Sequence, residues 1–211
     1  MIELKNEKIE RVYTARTDDE RIAAYDDWAA QYEADLLAFG FRLPPICAAV
    51  TARFVEPGTG PILDAGCGTG LQAEPLHAAG YGPFVGIDLS DGMLAVDQRK
   101  GIYQALHKMK MGERLDFADG AFPVTITMGA ITPGHAPAAA FDELIRVTAP
   151  GGLVIFSLRV DAGQEPDYDA AIAAHTAAGR WEMLFATPRF VTMPLGEPDV
   201  ENKIFVYKIL P

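Results

Sequence analysis

Pro61-Ile62-Leu63-Asp64-Ala65-Gly66-Cys67-Gly68-Thr69-Gly70 is the stretch that decides the fold. Ile62 and Leu63 form a short apolar run, the pattern of a buried strand end. Gly66, Gly68 and Gly70 follow at alternating positions, where the backbone can take positive φ and no Cβ holds a ligand away. Leu71 onward reads as helix. Strand, glycine-rich turn and helix start together bring backbone N–H groups and a helix dipole to a ligand. The spacing is G-x-G-x-G, not the G-x-G-x-x-G of a dinucleotide turn. Asp64 stands just ahead of the first glycine, a poor neighbour for a pyrophosphate and a good one for an ammonium group. A second acid, Asp88, closes the run Val85-Gly86-Ile87-Asp88. It lies roughly 20 residues beyond Gly68, where a strand-end carboxylate takes both hydroxyls of a ribose.

Around this stretch the chain has 211 residues, enough for one sizeable α/β core, and is 49% hydrophobic, as a globular chain is. Its net charge of −11, with no clustered Lys or Arg, disfavours a nucleic-acid partner. The two cysteines, Cys47 and Cys67, form no CxxC pair; this fits a reducing compartment and gives no metal signature. The first residues, MIELKNEKIERVY, are charged throughout and do not read as a signal peptide. No apolar run approaches the roughly 18 residues that span a bilayer. The expectation is a cytoplasmic protein without metal or membrane segment.

In chain order, residues 1–16 read as a polar arm. Thr17-Asp18-Asp19-Glu20 has the form of a capping box. Ile22, Tyr25, Trp28, Ala29, Tyr32 and Leu36 then fall at helical spacing as far as Gly40. That aromatic face either packs on the core or lies over a cleft, with Tyr25 and Tyr32 reaching the site. Pro44-Pro45 opens a second helix. A helix from Thr69 to Ala79 is expected to kink at Pro75. Phe84–Ile87, Ile102–His107, Val124–Met128 and Leu153–Leu158 read as strands, with Ser90 and Pro137 starting the helices between them. Pro166–Ala178 reads as helix. Trp181–Thr187 or Arg189–Met193, and Lys203–Ile209, read as the last strands, the final one antiparallel at the sheet's end. Arg189 and Phe190 read as a strand-surface pair or a pocket border.

Asp64-Ala65-Gly66-Cys67-Gly68-Thr69-Gly70 with Gly86-Ile87-Asp88-Leu89-Ser90 resembles the S-adenosylmethionine site of class I methyltransferases. The runs Leu115–Phe122 and Phe141–Ser157 are similar to that class too. The helix Tyr25–Tyr32, the Asp91-Gly92-Met93-Leu94 step and Gly134-His135-Ala136-Pro137 resemble the Williams–Beuren-region methyltransferase-like group. The resemblance implies an α/β fold: a Rossmann-like, doubly wound, seven-stranded, mostly parallel sheet with its last strand antiparallel and an N-terminal helical cap. Residues 1–57 would be the arm and cap helices and 58–211 the Rossmann-like domain, one structural domain overall. It implies Asp64 and Gly66 at the methionine end, Asp88 on the ribose, and Leu89 and Met93 against adenine. Ala65, Cys67, Gly68, Gly70, Met109, Lys110, Met128 and Gly129 complete the implied cofactor site.

Two positions depart from the family pattern. Lys110 stands where an adenine-reading Asp is usual, and a lysine cannot accept a hydrogen bond; Pro123 replaces another Asp. Either backbone, Asp116 or Asp119 reads the adenine, or binding is weak. Gly129–His135 would lie beside the departing methyl group. His135 is the candidate general base or a loop-shaping residue, and Thr132, Tyr25 and Tyr32 would face substrate. The implied activity is in-line methyl transfer from S-adenosylmethionine to a small-molecule acceptor, leaving S-adenosylhomocysteine. The absence of an N-P-P-Y-like run after the fourth strand weakens an amide or adenine amine as acceptor. The alternatives are a degenerate nucleoside-binding domain and a nicotinamide oxidoreductase. A monomer or homodimer is expected.

Overall fold

The computed structural model describes residues 7–161 and 166–211. Its sheet is built from β1 (Ile62–Ala65), β2 (Phe84–Asp88), β3 (Tyr103–Lys108), β4 (Phe122–Thr127), β5 (Thr148–Arg159), β6 (Trp181–Ala186), β7 (Phe190–Met193) and β8 (Glu197–Ile209). The order is β3-β2-β1-β4-β5-β8-β6, with β7 paired to β8 off that path. β1 to β5 are mutually parallel, and β8 runs antiparallel to both β5 and β6. Chain order reverses between β1 and β4, so the crevice beyond their C-terminal ends is where this architecture places a ligand.

All four residues of β1 are buried, as a central parallel strand covered on both faces must be. Alternation sends Ile62 to one face and Leu63 to the other. On the Ile62 face, Phe84, Val124, Ile126 and Ile155 meet α4 (Leu43–Phe54) and α5 (Ala73–Ala78). On the Leu63 face, Val85, Ile87, Val154 and Phe156 meet α7 (Ala140–Val147) and α8 (Pro166–Ala177). α6 (Asp91–Gln98) joins β2 to β3 and starts at Ser90, whose Oγ accepts from the Met93 N–H (3.0 Å).

Several local expectations change. The polar arm contains α1 (Glu7–Thr14), whose Val12 packs into a small core with Ala24, Trp28, Leu36 and Phe39; its first six residues lie outside the described residues. The long helix expected from Thr17 to Gly40 is two, α2 (Asp18–Trp28) and α3 (Tyr32–Ala38). The break lets the Trp28 indole N–H reach back to Asp35 Oδ2 (2.7 Å). Thr17 caps α2 as expected, accepting from Glu20 N–H (3.2 Å), while the Glu20 carboxylate takes the N–H of Arg16 instead of completing the box.

Pro75 produces no kink. α5 begins only at Ala73, which places Pro75 in its first turn, where its missing N–H costs nothing. The residues between Gly70 and Ala73 are turn rather than helix, so no helix dipole starts at the glycines. Pro150-Gly151-Gly152 does not precede β5 but lies within it as an irregularity against β4. Both candidate strands near the end form, as β6 and β7. The final strand does not close the sheet: β8 sits between β5 and β6.

Candidate active site

One cavity opens beyond the C-terminal ends of β1, β2 and β4, under α1 and α2. Its floor is the glycine turn. Gly68 adopts φ +58°, and a Cβ built there meets nothing within 4 Å, so its backbone faces open space. Gly70, at φ +81°, is the opposite case: a Cβ would stand 2.3 Å from Asp97 Oδ1. Asp88 closes β2 at the cavity wall. Its Oδ2 accepts from Gly68 N–H and its Oδ1 from Ser90 N–H, both at 2.9 Å. Burial pushes its carboxyl above the ordinary range, against the lowering effect of the Ser90, Gly68 and Leu89 N–H groups.

Of the other positions read from the sequence, Gly66, Cys67, Leu89, Met93, Met109 and Lys110 line the same cavity. So do Met128, Gly129, Thr132, His135, Tyr25 and Tyr32. Asp64, Ala65 and Gly70 are not on its wall. The Asp64 carboxylate is fully buried beneath the turn, where Oδ2 accepts from the Tyr103 hydroxyl (2.6 Å) and Oδ1 has no partner among the described residues. Burial raises it to about 7, and likewise Asp97. The expectation places the Asp64 side chain at a methionine end; here it lies beneath the glycine turn rather than on the cavity wall.

Lys110 is tied up rather than idle. Its Nζ pairs with Asp18 (2.8 Å) on α2 and with Glu113 (3.2 Å). Asp116 and Asp119 are both exposed and off the cavity; Asp119 pairs with Arg146. α2 is held over the cavity at a second point, where Asp26 Oδ1 accepts from the Ser90 hydroxyl (2.5 Å) and the Gly92 N–H (2.8 Å).

α2 and the first residue of α3 carry the aromatic roof. Trp28 and Tyr32 meet edge to face at 4.8 Å, and Tyr25 stacks on Trp28 at 6.4 Å. The Tyr25 hydroxyl lies 2.7 Å from His135 Nε2, and His135 Nδ1 lies 3.2 Å from the Pro133 carbonyl. A carbonyl only accepts, so Nδ1 carries the proton and Nε2 accepts from Tyr25. Burial and the neighbouring Arg21 lower the His135 pKa, keeping the ring neutral.

Arg189, paired with Glu201 at 3.0 Å, lies off the cavity, and Phe190 joins it there. The sequence reading missed two groups on the wall. Thr69 Oγ1 and Gln72 Oε1 are buried with no hydrogen-bond partner among the described residues. It also missed Arg159, Glu197 and Asn202 at the far end. Nothing in sequence spacing marks them, because Arg159 meets Asn202 only through the β5–β8 pairing and Glu197 is placed by the β7–β8 pairing at Met193.

A methyltransferase-domain family model matches residues 63–156. The chain is 34% identical over 175 residues to human methyltransferase-like protein 27, covering 80% of this chain and 71% of that one. It is 35% identical over 142 residues to the demethylmenaquinone methyltransferase of Renibacterium salmoninarum, covering 65% of this chain and 57% of that protein. A TehB-like S-adenosylmethionine-dependent methyltransferase from Corynebacterium glutamicum superposes with a TM-score of 0.67 at 18% identity, over 89% of this chain and 99% of that one. This chain belongs to the methyltransferase family. It is an S-adenosylmethionine-dependent enzyme of the Rossmann-like class. Among the described residues no single helix is long and apolar enough to cross a membrane.

Proposed function

We propose that S-adenosylmethionine lies between the glycine turn and Asp88 and that a small-molecule acceptor occupies the rest of the cavity beneath α2. The observation that carries this reading is Asp88. Two backbone N–H groups orient its carboxylate at the cavity wall, beside a glycine whose missing Cβ leaves room. The residues present suit the cofactor. Asp88 accepts from the ribose hydroxyls, Leu89 and Met93 pack on adenine, and the unpartnered Thr69 Oγ1 and Gln72 Oε1 offer partners to the methionine ammonium. With Lys110 committed to Asp18 and Glu113, the adenine edge is left to backbone groups.

When bound, the cofactor supplies an electrophilic methyl group. The chain's own work is to orient both molecules, exclude water and take a proton. Tyr25 and His135 form the proton path: as an acceptor proton reaches Tyr25 Oη, the Tyr25 proton passes to His135 Nε2, already 2.7 Å away. Met128 and Gly129 flank the point of transfer at the end of β4, and the Gly129 N–H is fixed by Ser157 Oγ (2.7 Å). A small acceptor agrees with the name of the bacterial relative, which specifies demethylmenaquinone.

Calorimetric titration with S-adenosylmethionine and S-adenosylhomocysteine tests the assignment. Micromolar binding is expected for the wild type, and Asp88→Ala should weaken it by about 1.5–3 kcal/mol, as for hydrogen bonds to a charged group. Unchanged affinity in that variant would remove Asp88 from the site.

A further inference from the structure

We infer that the far end of the cavity, between α1, β5 and β8, is an acceptor subsite for a cationic amine, with Glu197 as its anchor. This rests on the cofactor reading above and adds the substrate class. Arg159, Glu197 and Asn202 all line this end. Arg159 is already committed: its Nε lies 2.8 and 2.9 Å from the two carboxylate oxygens of Asp161, and its Nη2 lies 2.8 Å from one of them. A guanidinium held so by a carboxylate has little charge left for a ligand.

Glu197 has no such match. Its carboxylate stands near the Tyr13 hydroxyl, and among the described residues it forms no ion pair. Among the described residues, Arg159 at this end is held by Asp161, and Glu197 has no cation of its own. The other cations on the cavity wall, Arg21 and Lys110, pair with Asp18, and Lys110 also with Glu113. Burial raises the Glu197 pKa, the penalty that a bound cation relieves. Tyr13, Tyr25, Trp28 and Tyr32 also line the cavity, and aromatic faces attract ammonium groups where carboxylates are hydrated away. Asn202 gives its amide N–H to Thr192 Oγ1 (3.3 Å) and keeps a carbonyl oxygen, a second acceptor for an amine N–H. An acceptor with a carboxylate at this end would meet Glu197 directly, a like-charge contact.

The test uses the full chain saturated with S-adenosylhomocysteine and three matched probes: tyramine, 3-(4-hydroxyphenyl)propionate and 4-ethylphenol. Failure of S-adenosylhomocysteine to bind the wild type shows before any probe is added and overturns the cofactor reading, and this inference with it. With the cofactor product bound, tyramine should bind at least about tenfold tighter than the other two. Glu197→Gln should shrink that preference to within about threefold while S-adenosylhomocysteine still binds as in the wild type, and Glu197→Lys should turn it toward the propionate. Equal binding of the three probes, no binding of any, or an amine preference that survives Glu197→Gln would overturn the assignment. So would a loss of S-adenosylhomocysteine affinity in Glu197→Gln, which would give the carboxylate to the cofactor's own ammonium.

Discussion

Gly68 and Gly70 look alike in the sequence and do different work. Both hold positive φ, so an alanine at either carries the left-handed penalty of roughly 1–2 kcal/mol. Only at Gly70 does the new methyl strike something, Asp97 Oδ1 at 2.3 Å; at Gly68 it projects into the cavity. Gly70→Ala is therefore expected to lower urea stability well beyond that penalty. Gly68→Ala should lose about 1–2 kcal/mol of stability and, in the same titration, a larger share of its cofactor affinity. Equal stability losses in the two variants would refute the difference. Spacing alone made Asp88 legible, because a strand end and a glycine turn fix where its carboxylate goes. Thr69, Gln72 and Glu197 were illegible for the converse reason. What marks Thr69 and Gln72 is a missing hydrogen-bond partner, and what marks Glu197 is a missing counter-ion among the described residues; both are known only when the chain has folded.

At the scale of elements, α2 is the part that turns a crevice into a cavity. Its two attachments are unequal. Asp26 satisfies the Ser90 hydroxyl and the Gly92 N–H at the start of α6, and Gly92 is needed there because a Cβ would stand 2.8 Å from Asp26 Cα. The Lys110–Asp18 pair has side chains 37% and 48% exposed, a class of pair worth at most about 1 kcal/mol. Asp26→Ala should speed cofactor release roughly fivefold or more in stopped-flow dissociation, from about 1 kcal/mol lost per hydrogen bond, while Lys110→Ala changes it less than about twofold. The reverse ranking would mean that α2 is latched at the Lys110 end. The existence of this helix was readable from Thr17 and the aromatic spacing. Its end at Trp28 was not, since Trp28 suits the helical face equally well and only the Asp35 bond, made by folding back, shows the break. The late start of α5 was hidden likewise: Pro75 forbids an earlier helix interior but permits a first turn.

For the molecule as a whole, two buried acids set a pH dependence. Asp64 and Asp97 are raised to about 7, chiefly by burial, from an unfolded value of about 3.9. The folded state therefore holds protons that the unfolded chain releases. This contribution is complete below about pH 4 and is lost as pH rises towards about 7. His135 and His175, held neutral by burial, slope the other way, so the wild-type curve alone does not isolate the acids. Asp97→Asn does: relative to wild type it should gain more than about 1 kcal/mol between pH 5 and pH 8 in denaturant unfolding. Parallel curves would show that Asp97 is already ionised at pH 5. The parallel half of the sheet was legible from its apolar runs, because each is bounded by its own turn signals. The position of β8 was not, since sheet order is settled by which neighbour a strand meets. That position bears on synthesis. Trp181 pairs with Ile209, and Leu153 with Lys208, so β5 keeps an open edge and β6 has no strand to pair with until β8 leaves the ribosome. A nascent chain stalled before residue 197 exposes that open edge and that unpaired strand, the state in which chaperone capture and pairing with another chain compete with completion of the fold.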